Sequence, residues 1–142
     1  DVRRGRAAAQ NIIPSTTGAA KTVGRAIPKF KDTFDGMALR VPVIAGSIAD
    51  VTLVTTKKTT EKEVNAAFEK AATLSKWEGI LTTTTDPIVS TDIIGEPYAA
   101  IIDLSFTKVV DGDLVKVLSW YDNEWGYVAT LLRHVKAVAK NP

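Results

Sequence analysis

The chain of 142 residues has no cysteine, one histidine and one methionine, and no apolar run approaching the roughly 20 residues that span a bilayer. Each absence excludes a class of chemistry. Without a thiol there is no disulfide, no thiolate metal site and no cysteine nucleophile, while the compartment stays open. The one imidazole, His134, lies in Arg133-His134-Val135-Lys136 near the end of a helical pattern, where a cation suits the helix dipole and no nucleophile needs it. No catalytic residue and no metal site are therefore assigned. No Gly-x-Gly-x-x-Gly follows a strand pattern, so the dinucleotide-binding fingerprint is missing too. A net charge of +2 is too small to imply nucleic acid, and no signal peptide is visible. Neither nucleic acid nor a membrane is expected as a partner. The sole Met, Met37, is internal, so Asp1 is expected not to be a natural translation start.

What is present is a globular composition, 45% hydrophobic and 24% charged, arranged as alternating helix and strand patterns. Ser15 to Lys29 places Ala19, Ala20, Val23, Ala26 and Ile27 on one helical face, with hydroxyls at its start and Pro28 near its stop. Met37 to Ile44 and Ile48 to Thr56 are rich in Val, Ile, Leu and Thr; they predict two neighbouring strands separated by Ala45-Gly46-Ser47. Thr60-Glu61-Lys62-Glu63 is a capping box, and Val64, Ala67, Phe68, Ala71 and Leu74 behind it recur at helical spacing, giving a second helix that ends before Gly79. Further strands are expected at Ile80 to Thr85, Tyr98 to Asp103, Phe106 to Val110 and Leu114 to Tyr121, the last two joined by an Asp111-Gly112 turn. Val128, Leu131, Leu132, Val135, Val138 and Ala139 predict a final helix. Strands that mostly follow one another, with a few helices to cover a face, make this an α+β fold.

Two segments carry more than structure. Pro14-Ser15-Thr16-Thr17-Gly18 gathers three hydroxyls at the expected start of the first helix, where free N–H groups and the positive dipole end either receive a side-chain cap or bind an oxyanion. Ser119 to Tyr127 packs two Trp, two Tyr and an Asp-Asn pair into a strand-to-helix junction. Asn123 stands where that helix begins and can cap it, with Glu124 complementing the dipole. Capping does not account for the aromatics, which suit a flat ligand or a subunit contact, although packing is the simpler role for Trp120 and Trp125.

Trp120 to Tyr127 is similar to the segment that opens the C-terminal helix of the glyceraldehyde-3-phosphate dehydrogenases, the phosphorylating glycolytic enzymes. Arg3-Arg4-Gly5-Arg6-Ala7-Ala8-Ala9 leading to Ile12 through Lys21, and Gly36-Met37-Ala38-Leu39-Arg40-Val41-Pro42, match in the same order, so the resemblance covers nearly the whole chain. It implies a mixed, largely antiparallel sheet covered by helices on one face. Residues 1–123 would be part of the catalytic, substrate-binding domain, and residues 124–142 a helix that packs on a cofactor domain. The implied reaction is the oxidative phosphorylation of glyceraldehyde 3-phosphate with NAD, carried out in the cytoplasm by a homotetramer. By the same resemblance Thr17, Gly18 and Arg4 line a site for inorganic phosphate, Arg40 contacts the phosphate of the substrate, and Asn123, with Tyr127 close by, holds the nicotinamide carboxamide. Guanidinium groups and an amide suit those tasks.

Departures from the family pattern are as definite. The family's Cys nucleophile, its catalytic His and its Rossmann domain have no counterpart, so the chain is expected to be a fragment that is inactive alone and binds no cofactor by itself. The other reading is a stand-alone or truncated paralogue that binds phosphate or self-associates without catalysis. Gly5 stands where Ala is usual, and Val43 to Asp50 replaces the commoner Thr-Pro pattern, leaving Arg40 intact. NADP in place of NAD, and a tetrose in place of a triose phosphate, stay open.

Overall fold

Ile13–Thr16 (β1) and Met37–Arg40 (β2) pair antiparallel into a two-stranded sheet, in a computed structural model that describes residues 1–140. They belong to the first of two compact units, Asp1–Ile44. Between them runs the helix Ala19–Ala26 (α1), followed by a 3-10 turn at Pro28–Phe30. The first helix therefore starts four residues later than its sequence pattern suggests. Ser15 and Thr16 take extended backbone opposite Ala38 and Met37, and the ladder overrides the helical periodicity that includes them. Ile13 and Ala20 are the buried apolar residues of this unit, a thin core.

The second unit, from Ala45 on, holds a four-stranded sheet in the order β3-β6-β5-β4, formed by Ser47–Val54 (β3), Leu81–Thr84 (β4), Ala100–Val110 (β5) and Leu114–Tyr121 (β6). β4 and β5 are parallel and the other neighbours antiparallel, so the sheet is mixed and mostly antiparallel as expected of this α+β fold. The two strands predicted as neighbours are not: β2 pairs with β1, β3 with β6, and Val41 to Ile44 is not strand. The two strands predicted at 98–103 and 106–110 are one, β5, with a register irregularity between Asp103 and Lys108. Asp111 (φ 50°) and Gly112 (φ 76°) make the tight turn from β5 to β6, as the Asp-Gly pair requires.

The helix Glu61–Ala72 (α2) opens on the anticipated box: Glu63 N donates to Thr60 Oγ1 at 3.3 Å, and Thr60 N donates to Glu63 Oε2 at 2.9 Å. It packs on β4 and β5, and Asn65 Nδ2 ties it to the carbonyl of Leu104. Strand alternation puts Ile102, Leu104, Val115 and Val117, all buried, on the face that α2 covers. Trp125–Lys140 (α3) closes the described chain; the last two positions of the expected 124–142 segment lie outside the described residues. No described helix is long and apolar enough to cross a membrane.

Candidate functional site

The end of β6 delivers the junction residues to one place. Asp122, 4% exposed, is the helix cap: its Oδ1 accepts from Glu124 N and Trp125 N, both at 2.8 Å, and its Oδ2 accepts from Gly95 N at 2.8 Å. The Gly95 N–H first, then that of Glu124, hold its carboxyl below the usual carboxylate range; burial opposes them and the Trp125 N–H adds to the lowering. Asn123, expected to cap, does not. The reason is geometric, since an N-cap oxygen must reach the N–H groups two and three positions on, and here Asp122 already holds them.

Asn123 does something else. Its Oδ1 accepts from the backbone N–H of Gly46 at 3.1 Å and from Ser47 Oγ at 3.2 Å. The β3–β6 register sets Ser47 opposite Tyr121, which brings the Gly46-Ser47 pair beside Asn123. Gly46 sits at φ 88°, and a Cβ there would meet the Ser90 carbonyl oxygen at 2.9 Å and Ile93 Cδ1 at 3.0 Å. Ile93 is 1% exposed. It belongs to the fifteen residues 85–99 that join parallel strands β4 and β5, a connection long enough to suggest a built role. The same connection supplies Gly95 to Asp122. Residues 46–47, 90–95 and 122–123 thus form one knot beneath an amide whose Nδ2 has no protein partner among the described residues.

The aromatics divide. Trp120 Nε1 donates to Asp103 Oδ2 at 3.2 Å, and that carboxylate, 1% exposed, also accepts from Ser105 Oγ at 2.6 Å, so Trp120 is held by structure. Trp125 is 61% exposed and does not pack as expected; Tyr127, one helical turn beyond Asn123, is 63% exposed. Gly126 between them is buried, and a Cβ on it would meet the Tyr98 carbonyl oxygen at 2.8 Å.

In the first unit, Thr17 and Gly18 precede α1 with no acidic residue in its first turn and no side-chain cap from Gly18. Thr17 Oγ1 accepts from Ala19 N at 3.2 Å. Arg40 pairs across the ladder with Ile13, four positions before Thr17, so it stands about 13 Å along the strand from Thr17. Arg4 lies in the exposed turn that follows Asp1, whose Oδ1 accepts from Arg4 N at 3.1 Å.

The first unit offers a helix start without acidic residues and the second an exposed amide of fixed direction, both in an α+β fold. The family model for the glyceraldehyde 3-phosphate dehydrogenase C-terminal domain matches residues 1–123, and the chain belongs to that family. It is 53% identical over 127 residues to glyceraldehyde-3-phosphate dehydrogenase of Streptomyces coelicolor, covering 89% of the chain and 38% of that protein. It is 49% identical over 141 residues to the Mycobacterium tuberculosis enzyme of the same name, covering 99% of the chain and 41% of the relative. The chain thus spans about two fifths of the length of these relatives.

The motif singled out Asn123, whereas its bonds to Gly46 and Ser47, and the bond from Gly95 to Asp122, were not readable from it. A Gly-Ser pair just ahead of a strand reads as a separator until the register is known.

Proposed function

We propose that this chain is the substrate-binding portion of a phosphorylating glyceraldehyde-3-phosphate dehydrogenase, which converts glyceraldehyde 3-phosphate, phosphate and NAD to 1,3-bisphosphoglycerate in the cytoplasm. The observation that carries the reading is the retained ligand set, Arg4, Thr17, Gly18, Arg40, Asn123 and Tyr127, in a chain half identical to enzymes of that name. The donor chemistry fits. Thr17 and Gly18 at an α1 terminus free of acidic residues suit inorganic phosphate, with Arg4 adding charge, and the separation of Arg40 from Thr17 suits a second, distinct phosphate on the substrate. Asn123 suits the carboxamide of a nicotinamide, with Tyr127 exposed beside it. NAD, when bound, supplies the hydride acceptor; the residues of this chain bind and orient.

Residues 124–142 form the helix that docks on a cofactor domain in this reading, and the exposed apolar stripe of α3 supports it. The assembled enzyme is a homotetramer. The test is a graft: this chain replaces the matching 41% of the Mycobacterium tuberculosis relative. NAD- and phosphate-dependent oxidation of glyceraldehyde 3-phosphate by the chimera is the expected result, and a folded, inactive chimera would refute it. The second reading is a non-catalytic phosphate-binding or self-associating module. The chain alone should show no turnover in either case.

A further inference from the structure

Asn123 is fixed in direction by its own protein. A backbone N–H can only donate, so the Gly46 N–H at 3.1 Å assigns the near atom of the Asn123 amide as its oxygen, and Ser47 Oγ at 3.2 Å supplies a second donor. Two donors fill the lone pairs of that oxygen. What the amide turns outward is its NH2, with two N–H bonds and no acceptor. An amide that could flip would meet a ligand with either face; this one cannot flip without setting its NH2 against the Gly46 N–H.

We propose that Gly46 and Ser47 are positioning residues that make Asn123 a one-way hydrogen-bond donor, so that the ligand group it receives is an acceptor, a carbonyl oxygen. This rests on the cofactor reading above and narrows it: the carboxamide meets Asn123 through its C=O and not through a mutual amide pair. Gly46 is required because a side chain at φ 88° would strike the Ser90 carbonyl and displace the N–H that sets the amide. Ser47 is the tunable member, since its hydroxyl can be removed without touching the backbone.

The experiment has two arms. In the ¹⁵N-labelled 142-residue chain, Ser47→Ala should shift the Asn123 Nδ2H2 resonances, and Ser47→Thr, which keeps a hydroxyl, should restore them. Unmoved Asn123 resonances in a folded Ser47→Ala chain would overturn the proposal whatever the chain binds. In the active chimera, Ser47→Ala should raise KM for NAD about two- to tenfold, the worth of one neutral hydrogen bond, with KM for the aldehyde unchanged and Ser47→Thr close to wild type. Asn123→Asp keeps the internal acceptor for Gly46 and Ser47 but removes the outward donor, so it should raise KM for NAD tenfold or more. An unchanged KM in Asn123→Asp would show that no donor is used there and would overturn the ligand assignment. An inactive wild-type chimera would refute the dehydrogenase reading, and the resonance arm would still decide the positioning role.

Discussion

At the scale of residues, Asp122 shows how one carboxylate joins two parts of a fold. Its oxygens accept from three backbone N–H groups, on the helix start and on the 85–99 connection. Asn at this position would keep one acceptor but set an NH2 against an N–H on one side. Asp122→Asn should therefore cost about 1–3 kcal/mol near neutral pH. Because the folded carboxyl titrates below its unfolded value, its stabilisation is full above the unfolded pKa of about 3.9 and is lost as pH falls through the lower folded pKa. Urea titrations of both proteins should show a gap that is constant from pH 7 to about 5 and narrows under further acidification. Arg40→Ala, made in the chimera, should raise KM for glyceraldehyde 3-phosphate roughly ten- to a hundredfold, the range of a charge-assisted contact. Unphosphorylated glyceraldehyde should be affected far less, and equal losses on both substrates would mark Arg40 as structural.

Among the elements, Gly126 in the first turn of α3 reverses a general rule. Ala in place of Gly inside a helix normally gains up to about 1 kcal/mol. Here the new Cβ would lie 2.8 Å from the Tyr98 carbonyl oxygen, a backbone atom with little room to retreat. Gly126→Ala should destabilise the second unit and speed hydrogen exchange at the α3 N terminus, whereas a stabilised variant would show that this contact is loose. Local chemistry was readable wherever it is self-contained: the Thr60–Glu63 box, the Asp111-Gly112 turn and the α2 periodicity need only their own neighbours. Pairing was not. Nothing in Met37 to Arg40 says that its partner is Ile13–Thr16 rather than the next strand, and both are short enough for tertiary context to decide. The candidate site divided in the same way: the motif drew attention to Asn123, but the contacts of its side chain depend on a register that joins positions 76 residues apart or more.

For the molecule as a whole, the accessible surface is 10618 Å². Two compact bodies of 44 and 98 residues, counted apart so that their mutual placement does not matter, would expose only about 8,500 Å². The excess is about 2,000 Å² by that scaling, and Trp125, Val128, Leu131, Leu132, Val135 and Val138 lie exposed along α3. It exceeds the roughly 800 Å² that each partner contributes to a standard interface. Sedimentation at micromolar concentration should therefore find dimers or larger species, with monomeric chain and a protected α3 as the contrary result.

The β5–β6 hairpin also sets the order in which the second unit can be assembled in time. Its strands meet across three residues, 111–113, whereas β3 reaches β6 only after roughly 60 residues have been gathered in. Closing the longer loop costs about 2.5–3 kcal/mol more in chain entropy. A β3 strand has no edge to dock on until the hairpin exists, so mutations in the 110–114 turn should slow folding, while mutations in β3 should mainly hasten unfolding.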